Sequence, residues 1–109
     1  MKNKTIRYLA VPLLCMMLGS AAQAQGATKE ALYSRSLAAS CANCHGTDGK
    51  VVAGSAVTSL AGLDKAYFVA QMAAFKSGAR TATVMHQISK GFNDAQIQSL
   101  AAYFAEQKK

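Results

Sequence analysis

Tryptophan is absent from this chain of 109 residues, proline occurs once and acidic residues number only five. The one proline, Pro12, lies near the N-terminus, so the ninety-odd residues after it carry nothing that would interrupt a helix from within. The shortage of acid leaves twelve Lys and Arg against five Asp and Glu, a formal charge of +7. Such an excess is compatible with a polyanionic partner, but Lys2, Lys4 and Arg7 account for part of it, and from residue 25 onward nine basic residues face five acidic ones. With +4 remaining, nucleic-acid binding loses its main support. No apolar run reaches the ~20 residues that a membrane-spanning helix needs. The length and the absence of internal repeats exclude two domains, a long solenoid and a multi-pass membrane protein.

The N-terminal residues have an organisation of their own. A basic stretch, Met1 to Arg7, precedes an apolar one, Tyr8 to Leu18, and small residues follow in Gly19-Ser20-Ala21-Ala22-Gln23-Ala24. That order describes a secretory signal peptide over 1–24, cut after Ala24, which leaves a domain of residues 25–109 in the periplasm with no stable membrane anchor. Leu14 precedes Cys15, where a lipoprotein signal carries a small residue. Only Cys41 and Cys44 then remain of the three cysteines, in a compartment where dithiols tend to oxidise.

The core available to residues 25–109 is thin. It draws on 21 residues from Val, Ile, Leu, Met, Phe and Tyr, beside 18 alanines that fill little volume. Domains of this size commonly need a staple, and a disulfide between Cys41 and Cys44 would close too short a loop to constrain the unfolded chain much. A large, flat, apolar cofactor would fill the centre.

Helical signals run throughout. Thr28 to about Ser40 predicts a first helix, with Leu32, Ser36/Leu37 and Ser40/Cys41 on one side. Gly46 to Leu63 holds four glycines and predicts a long loop wrapped around something. Asp64 caps a helix from Lys65 to Ser77 that shows Phe68, Met72 and Phe75 on one face and ends at Gly78. Thr83 to Lys90 predicts a short helix ended by Gly91. Asn93 with Gln96 forms a capping box for a last helix to about Gln107, with Ile97, Leu100, Ala101 and Phe104 at the i, i+3, i+4, i+7 spacing of a buried stripe. Period-two alternation is lacking, so the fold class is all-α.

One motif is chemically specific. Cys41-Ala42-Asn43-Cys44-His45 is C-x-x-C-H, the attachment signature of c-type haem. Residues i and i+3 of a helical turn face the same way, so both thiols reach the two vinyl groups on one porphyrin edge, and the adjacent His45 is the proximal iron ligand. A thioredoxin-like site would need a βαβ context. A structural zinc would need four ligands, for which Cys41, Cys44, His45 and His86 are the only Cys and His available. For the second axial position the candidates are Met72, Met85 and His86. Met72 shares the Phe68/Phe75 face and reads as core packing. Met85 lies 40 residues after His45, far enough for the chain to cross the haem and return on its other side. Ligation by Met85 raises the reduction potential and ligation by His86 lowers it; His86 is expected to face solvent.

On these residues the chain resembles the class I cytochromes c over essentially the whole of 25–109, with a closer resemblance to the haem subunits of flavocytochrome c sulfide dehydrogenases. The stretches concerned are Cys41 to Gly49, Phe75-Lys76-Ser77-Gly78, Met85 with Ile88, Lys90, Gly91 and Phe92, and Leu100 to Phe104. The resemblance implies a first and last helix that cross above one covalent haem c, thioethers at Cys41 and Cys44, and His45 and Met85 as axial ligands. It implies a one-electron carrier with no catalytic site of its own, fed by a sulfide-oxidising flavoprotein (FAD) subunit. The alternative is a freely diffusing carrier serving other redox proteins. The chain has no dinucleotide fingerprint, so flavin would belong to the partner. The family often carries Gly-Pro in the loop after the motif, the proline carbonyl accepting the His ring N–H; here the pair is Gly54-Ser55, which puts the Ser55 carbonyl in that role. Lys50, Lys76, Arg80 and Lys90 are candidates for steering an acidic partner.

Overall fold

The computed structural model describes residues 28–109, so the expected signal peptide and its cleavage point lie outside the described residues. Five α-helices follow one another: α1 (Lys29–Ala39), α2 (Ala42–His45), α3 (Lys65–Ser77), α4 (Met85–Ile88) and α5 (Asp94–Ala105). Two 3-10 turns, Thr47–Gly49 and Ser89–Gly91, extend α2 and α4. Among the described residues there is no strand, as the missing period-two pattern requires.

The helix ends are set by local chemistry. The Thr28 hydroxyl accepts from Ala31 N at 3.1 Å and starts α1. An Asp64 carboxylate oxygen accepts from Tyr67 N at 2.9 Å and starts α3, which stops at Gly78 in the left-handed region. The Asn93–Gln96 capping box is complete, each side chain accepting from the other residue's backbone N–H at 2.9 Å.

Helix α5 packs against both α1 and α3. Its stripe of Ile97, Leu100, Ala101 and Phe104 is buried and meets Phe68 and Met72 of α3 and Ala38 of α1. The Phe68 and Phe104 rings lie 5.7 Å apart, tilted by 34°. Helix α1 meets this core by Leu37, Ala38 and the following Cys41, while Leu32 stays 55% exposed, contrary to expectation. The reason is rotational: five residues at 3.6 per turn place Leu32 about 140° from Leu37.

The core is as thin as the composition implies, with three alanines among the eight apolar residues that are buried in the described part of the chain. No helix among the described residues is long and apolar enough to cross a membrane.

Candidate haem site

The Cys41–His45 segment folds into one tight turn. The Cys41 carbonyl accepts from Cys44 N at 3.3 Å and from His45 N at 2.9 Å. Both thiols are free; Cys41 is half-buried against the core and Cys44 is exposed. Burial pushes the Cys41 thiol above its ordinary value, against a smaller downward pull from the Ser40 hydroxyl. A thiol held protonated is a poor nucleophile toward disulfides. The chain leaves the turn through Gly46 at φ +77°, where a Cβ would lie 1.8 Å from the Lys50 carbonyl oxygen, so only glycine passes.

His45 is half-buried, and its Nδ1 lies 2.6 Å from the Thr58 carbonyl oxygen. A carbonyl only accepts, so Nδ1 carries the proton and Nε2 keeps a free lone pair, the tautomer that binds a metal. This corrects the expectation for Ser55. Ser55 N donates to the Val52 carbonyl at 3.1 Å and its hydroxyl accepts from Val57 N at 3.1 Å. Residues 52–57 therefore turn upon themselves, and the chain returns to His45 three positions later than the Gly-Pro analogy places it.

Behind Thr58 the Gly49 carbonyl gathers three donors: Ser59 Oγ at 2.8 Å, Leu60 N at 2.8 Å and Ala61 N at 3.2 Å. The neighbouring Asp48, at φ +54°, accepts a hydrogen bond from the Tyr103 hydroxyl of α5. Burial, with the Asp48 carboxylate second, pushes the Tyr103 phenol above its ordinary 10.0, and Arg35 pulls weakly the other way. Thr58 and Ser59 carry no signal in the sequence, and Tyr103 appears there only within the Leu100–Phe104 stretch, with no sign of its contact to Asp48. A backbone acceptor has no residue preference, and the other contacts join segments far apart in the chain.

Met85, the candidate second axial ligand, opens α4 and packs half-buried against the same core that Cys41 borders. Met72 is 5% exposed within that core and serves as packing. Two apolar side chains flanking Met85 remain open, Val84 at 51% and Ile88 at 43%. His86 does not face solvent freely: it is half-buried, and its Nδ1 is enclosed without a partner. The hydroxyl of Ser89, a fully buried residue one turn on, is likewise unpartnered. Enclosed polar atoms are normally satisfied, so His86 Nδ1 and Ser89 Oγ have room for a partner that the described residues do not supply.

Covalent haem fits this donor set. Two free thiols one turn apart suit the vinyl groups, while an imidazole Nε2 and a thioether sulfur suit iron. The zinc alternative is not assembled: among the described residues no three or more His, Cys, Asp and Glu side chains gather as a metal-holding group. Two of the four candidate steering cations are engaged internally. Lys76 Nζ donates to the Phe92 carbonyl at 2.7 Å and lies 3.6 Å from Asp94, tying α3 to the start of α5. Arg80 donates to Gln71 and stacks 4.7 Å over the Phe75 ring. Lys50 and Lys90 remain exposed.

Residues 31–108 match the family model described as Cytochrome c. The chain is 40% identical over 73 residues to a protein of Chlorobaculum tepidum named cytochrome subunit of sulfide dehydrogenase, covering 67% of this chain and 64% of that one. It is 36% identical to cytochrome c4 of Pseudomonas aeruginosa, over 94% of this chain and 49% of the relative. It is 31% identical to a thiosulfate dehydrogenase electron acceptor of Stutzerimonas stutzeri, over 91% and 47%. The chain thus spans between about half and two thirds of the length of these relatives. With the C-x-x-C-H turn, its proton-fixed histidine and a small all-α core, the chain belongs to the cytochrome c family, electron carriers with covalently bound haem c.

Proposed function

We propose that Cys41 and Cys44 carry the haem as thioethers, that His45 Nε2 is the proximal iron ligand and that Met85 Sδ is the distal one. The haem supplies a one-electron ferric/ferrous couple, and the residues around it do the rest. The Thr58 carbonyl fixes the His45 tautomer and ring orientation. A thioether at Met85 raises the potential relative to a second imidazole. With both axial positions filled there is no place for a substrate on the metal, so the chain has no catalytic site of its own and exchanges single electrons across its surface. The observation that carries this reading is the 2.6 Å contact between His45 Nδ1 and the Thr58 carbonyl, which leaves Nε2 available.

The finer proposal concerns compartment and partner. Residues 1–24 act as a cleaved signal peptide, and residues 25–109 work in the periplasm as the haem subunit beside a sulfide-oxidising flavoprotein (FAD) subunit. The 40% identity to the Chlorobaculum tepidum subunit supports this. A second reading, a freely diffusing carrier for other redox proteins, draws on the cytochrome c4 likeness along 94% of the chain.

The test is gentle purification of the untagged protein from its native periplasm, with a visible spectrum and a particle size. Reduced c-type haem bands with a flavin contribution, in a particle larger than the monomer, are the expected result. Haem bands alone at monomer size would establish the diffusing carrier instead. A preparation without haem bands would overturn the ligation scheme.

A further inference from the structure

We propose that Ser59 is a positioning residue that holds the Thr58 carbonyl on His45 and thereby sets the basicity of the proximal imidazole; this rests on the ligation scheme above. The contact it serves joins a carbonyl to a side chain thirteen residues earlier, across a loop with three glycines and no proline. Nothing within residues 52–57 fixes that carbonyl, since their hydrogen bonds close a turn among themselves.

What anchors the loop lies just after it. Gly49 is buried, and a Cβ there would lie 2.8 Å from Leu60 Cβ and 2.9 Å from Phe104 Cδ1. Its carbonyl therefore sits at a close approach of turn, loop and last helix, and it accepts from Leu60 N and Ala61 N. Those two bonds secure residues 60 and 61. The Ser59 hydroxyl, donating to the same carbonyl at 2.8 Å, extends the attachment one residue toward Thr58. The peptide unit joining Thr58 to Ser59 is planar, so fixing Ser59 at one end orients the Thr58 C=O at the other. That C=O is the group bonded to His45 Nδ1.

The functional consequence follows from how a hydrogen bond on one ring nitrogen acts through the other. A firm Nδ1–H···O=C bond raises the donor strength of Nε2, which favours ferric over ferrous iron and holds the potential down. Losing the Ser59 hydroxyl loosens the carbonyl and lets the potential rise.

The experiment compares haem-loaded Ser59→Val with Ser59→Thr, a pair that differs by a methyl in place of the hydroxyl. Redox titration and thermal melting are recorded on both and on the unaltered chain. Ser59→Val is expected to raise the ferrous-to-ferric ratio at fixed ambient potential about threefold, or about 30 mV at 59 mV per tenfold for one electron. Ser59→Thr is expected to return the ratio to that of the unaltered chain, whatever either change does to the melting temperature. Equal potentials in the two variants would overturn the role of Ser59, even if both melted early. Ser59→Ala, which adds no bulk, serves in the same comparison if Ser59→Val fails to accumulate. Absence of haem bands from the unaltered chain would overturn the ligation scheme itself, so the two failures appear in different samples.

Discussion

The two segments proposed to ligate the iron, proximal at His45 and distal at Met85, are built to different standards. On the proximal side, His45 is bonded to Thr58, the Gly49 carbonyl collects three donors from residues 59–61, and Asp48 is tied to Tyr103 of α5. Each tie joins residues at least ten positions apart, so the turn is held by the tertiary structure as a whole. On the distal side Met85 begins a four-residue helix with no side-chain cap, and two enclosed polar atoms on that segment, His86 Nδ1 and Ser89 Oγ, have no partner in the described residues. One side is tied by several long-range hydrogen bonds, and the other leaves two enclosed polar atoms without a protein partner. The lesson is a division of labour: hydrogen bonds orient the His45 ring in advance, whereas Met85 is held by packing against the core.

The comparison breaks most visibly at the ligands themselves. Met85→Ala is expected to keep covalent haem and the helical fold but lose the low-spin six-coordinate spectrum. His45→Ala, removing the group around which the loop is organised, is expected to lower the yield of haem-loaded protein as well. Should Met85→Ala stay low-spin, the double variant with His86→Ala decides the matter. Loss of the low-spin spectrum in the double variant would show His86 stepping in, and its persistence would refute distal ligation by Met85.

A smaller effect is expected from the proximal scaffold. Gly49→Ala forces a positive φ of +77° on a side chain that meets Leu60 and Phe104 below 3.0 Å. The cost is about 2–3 kcal/mol, a fall in Tm of roughly 10–20 °C for a domain of this size. A melt unchanged within a few degrees would show the proximal side to be no better determined than the distal.

The smallest effect is on pH dependence. The Tyr103 phenol titrates higher in the folded than in the unfolded chain. The folded state therefore holds its proton more firmly, and the contribution is fully present below about pH 10 and lost as pH rises through the folded value. Tyr103→Phe is expected to remove that alkaline decline, read as melting temperature against pH. A decline of equal size in the variant would place its origin elsewhere.

Much of this was legible in the sequence, for a consistent reason. The Asn93–Gln96 box, the Asp64 cap, the Gly78 stop and the 97/100/101/104 stripe depend on residues within one or two turns, and spacing alone reports such relations. The C-x-x-C-H signature is equally local, one turn from first to last atom. Leu32 differs because the seam that α5 selects on α1 runs through Leu37, Ala38 and Cys41, a fraction of a turn away from it, and that choice depends on a partner helix far along the chain. Lys76 and Arg80 were candidates for partner contact because charge is visible in a sequence, whereas the Phe92 carbonyl, Asp94, Gln71 and the Phe75 ring that engage them are brought near only by folding.

The sequence by itself determined an all-α chain with a haem attachment turn, because both follow from short-range geometry. Only the tertiary structure decided that Thr58 rather than Ser55 meets His45, that Gly49 anchors the loop behind it and that Ser89 is sealed beside the Met85 segment. A backbone carbonyl has no residue identity to read. Which one arrives at a given ring nitrogen depends on the path of an entire glycine-rich loop, and that path is settled by what it packs against.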